Sequence, residues 1–96
     1  MIIRFHELAQ AELRFAADDY EAKHHLLGQE FIATVARSLD RISTFPDSGG
    51  PYIAETRRLV LGRFPFSIVY SREDDSLVVL AVAHHRRLPG YWKDRR

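Results

Sequence analysis

The spacing of hydrophobic side chains changes several times along this chain, and each change predicts an element. Ile2-Ile3-Arg4-Phe5 is β-branched and aromatic, which predicts a short first strand. From Glu7 the period lengthens. Leu8 or Ala9, Leu13, Ala16 or Ala17, and Tyr20 then mark one face of an amphipathic helix. Glu7 and Glu12 lie near its start, where the helix dipole favours negative charge, and His24 and His25 lie near its end. Gly28 is expected to supply the left-handed residue that stops this helix. A second helical stripe follows in Phe31 or Ile32, Val35, Leu39, Ile42 and Phe45. Pro46 ends it, and Asp47-Ser48-Gly49-Gly50-Pro51 reads as loop. Two such helices in sequence predict an antiparallel hairpin that needs another layer to cover its apolar side.

The remainder supplies that layer. Thr56 to Leu61 reads as a strand broken by Gly62. In Phe64 to Tyr70, Phe64, Phe66, Ile68 and Tyr70 alternate with Pro65, Ser67 and Val69, which gives one apolar face. Arg72-Glu73-Asp74-Asp75-Ser76 is a polar hairpin turn, and Leu77 to Ala83 is apolar on both faces, as a central strand is. The predicted order is β-α-α-β-β-β. It is an α+β fold with a helical hairpin on one face of a four-stranded, mostly antiparallel sheet, whose first strand lies beside the last. No linker or internal repeat divides residues 1–96, so one domain is expected.

Composition narrows the class. At 96 residues, with 46% hydrophobic and 28% charged side chains, the chain can bury a core without disulfides. It has no cysteine, which excludes a thiolate metal site, and the paired histidines His24 and His25 lack the i, i+4 spacing of a metal pair. No metal or cofactor is implied. No apolar run approaches a membrane span and the first residues do not resemble a signal peptide, so a cytoplasmic protein is expected. The net charge of +1 conceals an asymmetry: residues 1–48 hold five basic and eight acidic side chains, residues 49–96 nine and five. The basic half favours an anionic partner, on a small footprint rather than a long nucleic-acid track.

Candidate chemistry gathers at the end of the last strand. Ala83-His84-His85-Arg86-Arg87-Leu88-Pro89-Gly90-Tyr91-Trp92 joins proton-transfer groups, fixed cations and aromatics. His84 or His85 could transfer a proton near neutral pH, and strand alternation lets only one of them reach a given face. Arg86 and Arg87, together with Arg57 or Arg58 from a neighbouring strand and Arg63 beyond it, are candidates for binding phosphate or a protein target. Tyr91 could stack on a base, and with Trp92 could equally anchor the tail against the domain. Arg95 and Arg96 are expected to be a solvated terminus.

The element order, Phe64-Pro65-Phe66-Ser67-Ile68-Val69-Tyr70, and above all Leu80-Ala81-Val82-Ala83-His84-His85-Arg86-Arg87-Leu88-Pro89-Gly90-Tyr91-Trp92 resemble the RelE/ParE superfamily of toxins from bacterial type II toxin–antitoxin modules. The likeness spans essentially the whole chain. It implies a cognate antitoxin that wraps the toxin; an acidic segment folding on binding would suit the basic half. It leaves two activities open. ParE-like members poison DNA gyrase, and RelE-like members cut mRNA in the ribosome. An inactive, antitoxin-binding member is a third alternative. His84 and His85 would be catalytic only in a nuclease. With lysine only at positions 23 and 93, the chain lacks the dense basic surface of the nucleases, and the ParE-like reading leads.

Overall fold

A computed structural model describes residues 1–96. Strand β1 (Ile2–Phe5) leads into helix α1 (Glu7–Lys23), which packs antiparallel on α2 (Leu27–Thr44). Strands β2 (Gly50–Tyr52), β3 (Thr56–Val60), β4 (Phe66–Glu73) and β5 (Ser76–His84) follow, with a short 3-10 turn over Ile53–Glu55. The sheet order is β1-β5-β4-β3-β2. β1 runs parallel to β5, and every other pairing is antiparallel. The helical hairpin on one face and the central place of the last strand are both as the pattern predicts.

The sheet has five strands, not four. The extra one, β2, lies in the segment whose glycines and prolines read as loop. Side chains fix it there. The Tyr70 hydroxyl accepts from Gly49 N at 2.9 Å and donates to Pro46 O at 2.6 Å, while Arg57 donates to Gly49 O at 2.6 Å. Once the chain is held at Gly49, Gly50 to Tyr52 fall into register along β3. A three-residue strand ordered by distant side chains carries no periodic signal.

Gly28 does not end α1. That helix stops at Lys23, and the left-handed residue of the connection is Leu26, at φ 66°. Glu21 makes this tolerable by accepting from Leu26 N at 2.9 Å and Gly28 N at 3.0 Å, which caps the start of α2. Those backbone donors, Leu26 first, hold the Glu21 carboxyl below its usual range. Gly28 instead sits in the first turn of α2, where a Cβ would lie 2.4 Å from Ala17 O. Glycine here permits close helix contact. The β4–β5 turn is also tighter than the five polar residues suggest. Pairing continues to Glu73 and Ser76, leaving Asp74 and Asp75 as the loop, with Asp74 at φ 55°.

The main core lies between helices and sheet. Phe31, Val35 and Ile42 meet Phe64, Phe66, Ile68, Tyr70, Val79 and Val82, with Ala9, Ala16 and Ala17 allowing α1 to come close. Phe31 packs edge-on to Phe64 and Phe66, both at 5.1 Å between ring centroids. On the opposite face a smaller cluster forms from Val69, Leu80, Ala81 and Trp92. A register shift in the β4–β5 pairing at Val69/Tyr70 lets adjacent Leu80 and Ala81 both belong to that second cluster.

Trp92 is brought there by the chain after β5. Gly90, at φ 84°, turns the tail back across the sheet, and Trp92 is left 1% exposed. The tail therefore covers much of the face that the helices leave open. Of the two final arginines expected to be solvated, Arg96 is exposed but Arg95 is not. Arg95 forms a two-pronged ion pair with Glu12, and Arg96 donates to Ala54 O at 2.8 Å.

Candidate functional site

β5 delivers its two histidines to opposite sides of the sheet, as alternation requires. His84 lies on the helix side, its ring edge-on to Phe66 at 5.0 Å, and its Nδ1 accepts from Arg86 N at 3.0 Å. Burial, and then the charge of Arg86, push its pKa below the ordinary histidine value. His85 lies on the tail side. Its backbone N donates to Pro65 O, and its Nε2 stands 2.9 Å from Ser67 Oγ.

Around His85 a cleft of about 230 Å³ opens on the sheet face. Its cations are Arg58 from β3 and Arg87 from the tail, and Tyr52, Tyr91 and Trp92 form aromatic walls. The Arg58 guanidinium lies over the Tyr52 ring at 4.6 Å and that of Arg87 over Tyr91 at 3.8 Å. Both are thus flattened on aromatic shelves with their N–H edges free. No carboxylate lines the cleft. An anion meeting this surface finds fixed positive charge with little internal competition.

The remaining candidates lie elsewhere. Arg57 faces the helix side, holding Gly49 O and pairing with Asp47 at 3.4 Å. Arg63 pairs with Glu30 of α2 at 3.1 Å. Arg86 is exposed and does not line the cleft. Of the sequence candidates, then, His85, Arg58, Arg87 and Tyr91 come together, with His84 at the margin.

Sequence reasoning missed Ser67, Tyr52 and Glu12. Ser67 reads as the polar side of an alternating strand, and Tyr52 belongs to the unrecognised β2. Glu12 reads as a helix-dipole carboxylate, but in the fold it accepts from the Tyr91 hydroxyl at 2.7 Å. Burial, with Glu12 second, pushes the Tyr91 phenol far above its ordinary value.

The cleft therefore presents the imidazole of His85 beside two arginines, with His84 at its edge turned toward the helix side. Cleaving RNA at a 2′-hydroxyl calls for both a base and an acid of matched strength. His85 can serve as one. Tyr91, strongly disfavoured from ionising and bonded to Glu12, is a poor second, and His84 points to the other side of the sheet. Anion recognition is well provided for; paired proton transfer is not.

A second concavity, of about 650 Å³, runs between α1 and the end of β5. Leu8 and Phe15 stand exposed along it, Phe66 and Val82 lie at its base, and Lys23 and Arg87 are on its rim. No helix is long and apolar enough to cross a membrane, and no group of three or more His, Asp or Glu side chains is placed to hold a metal.

A helical hairpin on a sheet of this order, with a basic strand end flanked by aromatics, defines the class as a RelE/ParE superfamily toxin. A profile of the family described as "ParE toxin of type II toxin-antitoxin system, parDE" matches residues 3–89, and the chain belongs to that family. It is the toxin component of a type II toxin–antitoxin module, ParE-like, with a cognate antitoxin as partner. Its fold is similar to a solved structure titled "Chromosomal ParDE TA system from P. aeruginosa", with a TM-score of 0.65 at 19% identity over 88% of this chain and 95% of that one. No curated protein matches the chain.

Proposed function

We propose that this toxin acts in the cytoplasm by inhibiting DNA gyrase, through the face that carries Arg58, His85 and Arg87. The observation that carries the reading is the make-up of that face. It has two stacked guanidiniums and no carboxylate, and of its two histidines only His85 faces it, while His84 borders it with its ring packed on Phe66 on the helix side. Such a surface suits binding to an acidic patch on a protein better than strand cleavage.

The antitoxin segment seats along the groove beside α1. An amphipathic helix would lay its apolar side on Leu8 and Phe15 and bring carboxylates to Lys23 and Arg87. Arg87 borders both concavities, so a segment in the groove also masks part of the toxic face.

The decisive assay is DNA supercoiling by purified gyrase with added toxin. Inhibition that antitoxin reverses, and that Arg58→Ala or Arg87→Ala weakens by about tenfold or more, is the expected result. Unaffected supercoiling, together with toxin-dependent mRNA cuts mapped in translating ribosomes, would overturn it.

A further inference from the structure

Glu12 takes no part in the chemistry above, yet its carboxylate accepts four hydrogen bonds. They come from Val82 N at 3.1 Å, the Tyr91 hydroxyl at 2.7 Å, and Arg95 Nη1 and Nη2 at 2.9 and 3.0 Å. The donors lie 70 or more residues away in sequence. The Glu12 and Arg95 side chains are only 17% and 13% exposed. This is a packed device rather than a surface ion pair.

The reason for it lies at the edge of the sheet. β1 ends at Phe5, opposite Val79, while β5 continues to His84. Beyond Val79 the β1-facing edge of β5 has no neighbouring strand. Glu12 accepts the Val82 N–H there, and Arg95 donates to Leu80 O at 3.1 Å. A glutamate and an arginine thus serve the backbone groups that a longer β1 would have paired.

Having filled that role, Glu12 has one further bond, to Tyr91, and that bond fixes the aromatic ring. The Arg87 guanidinium lies over the ring at 3.8 Å, and that of Arg95 also lies over it at 5.0 Å. The Arg87 side chain forms no hydrogen bond and no ion pair, so the Tyr91 ring is what locates its charge. We propose that Glu12 is a positioning residue of the toxic face: through the Tyr91 hydroxyl it sets where the Arg87 guanidinium stands. The inference rests on the reading of that face as the one that meets the target.

Two measurements on the full chain test it. In nuclear magnetic resonance spectra of the folded toxin, the Tyr91 ring current should shift the Arg87 side-chain signals upfield. Glu12→Ala should return them toward unstacked values, as should Tyr91→Phe, which removes only the hydroxyl and keeps the ring should Glu12→Ala fail to fold. Unmoved Arg87 signals in folded Tyr91→Phe would overturn the proposal.

The second measurement is growth inhibition in cells without antitoxin. Tyr91→Phe should lose about tenfold. The double variant Tyr91→Phe/Arg87→Ala should lose no more than Arg87→Ala alone, because both act through one guanidinium. Additive losses would contradict positioning. If Arg87→Ala left inhibition intact, the reading of the face would fall, while the resonance shifts would still decide whether Glu12 places Arg87.

Discussion

The two faces of the sheet are built by different rules. Beneath the helices 14 buried hydrophobic side chains pack into a continuous core, whereas the apolar cluster on the tail side has only 4, and Trp92 is the largest of them. The first face is secured by redundancy: Phe31 touches several aromatic neighbours, and no single contact decides its place. The second is secured by a few dedicated contacts, Trp92 in its seat and Arg95 on Glu12. What the second arrangement gains is exposure. A sheet face covered by the short tail after β5 rather than by helices can still present Arg58, His85 and Arg87 to another molecule.

Removing one large side chain from each face gives the largest effects and separates the two rules. Phe31→Ala should cost about 4 kcal/mol, because a fully buried ring leaves a cavity that rigid neighbours cannot close. The loss should appear as a single cooperative fall in denaturant midpoint, with backbone amides throughout the sheet losing hydrogen-exchange protection together. Trp92→Ala should cost about 3 kcal/mol, somewhat less because the tail can detach and let water into the site. Its signature should be local. Protection should fall first at residues 88–96 and at the β2 edge, with the helix-side core retained. A Trp92→Ala variant that unfolded as one unit with the core would erase the distinction between the faces.

The same contrast explains how much could be read in advance. The helix-side face obeys periodicity, so both helices and the strands around Phe66 and Val82 are legible from spacing alone, as is the central place of β5. The tail side is not periodic. Ser67 meets His85 across 18 residues and Glu12 meets Arg95 across 83, and side-chain pairs so distant leave no mark on local pattern. The basic and aromatic composition of residues 84–92 identifies the neighbourhood of the site, but not which of its arginines are stacked and which are free. Arg57 shows the limit clearly. It belongs to the right strand and the right residue type, and alternation sends it to the opposite face, where it orders the loop ahead of β2.

Next in size is a change on the helix side. Gly28→Ala should destabilise by about 2 kcal/mol, since the added methyl meets the backbone oxygen of Ala17 at 2.4 Å and the two helices must part. Thermal melting measures it. No change in melting temperature would mean that the helix pair is as adaptable as the tail. On the tail side, Ala54→Gly should stabilise by about 0.5 kcal/mol. Ala54 sits at φ 57° and ψ 39° in the turn between β2 and β3, and a Cβ is unfavourable there. A loss of stability would show that the turn draws on contacts of the alanine methyl rather than on backbone strain.

The smallest effect belongs to the residue at the boundary between the faces. His84 has a pKa below its ordinary 6.5, chiefly because the folded chain buries its ring, and next because Arg86 is close. The unfolded chain therefore binds a proton at His84 more readily than the folded one. Stability that is present above the ordinary value must fall as pH drops through it, and the loss is complete once the folded form also titrates. Because the ring is only partly buried, solvent screens much of this, and the loss should be the least of those described here. Melting temperatures of the toxin and of His84→Gln, measured side by side from pH 7.5 to 5.5, isolate it, since every other histidine is common to the two proteins. The parent should lose more stability than the variant over that range. Parallel curves would mean that His84 is as wet as His85, and that the helix-side core ends one residue earlier on β5 than its packing against Phe66 implies.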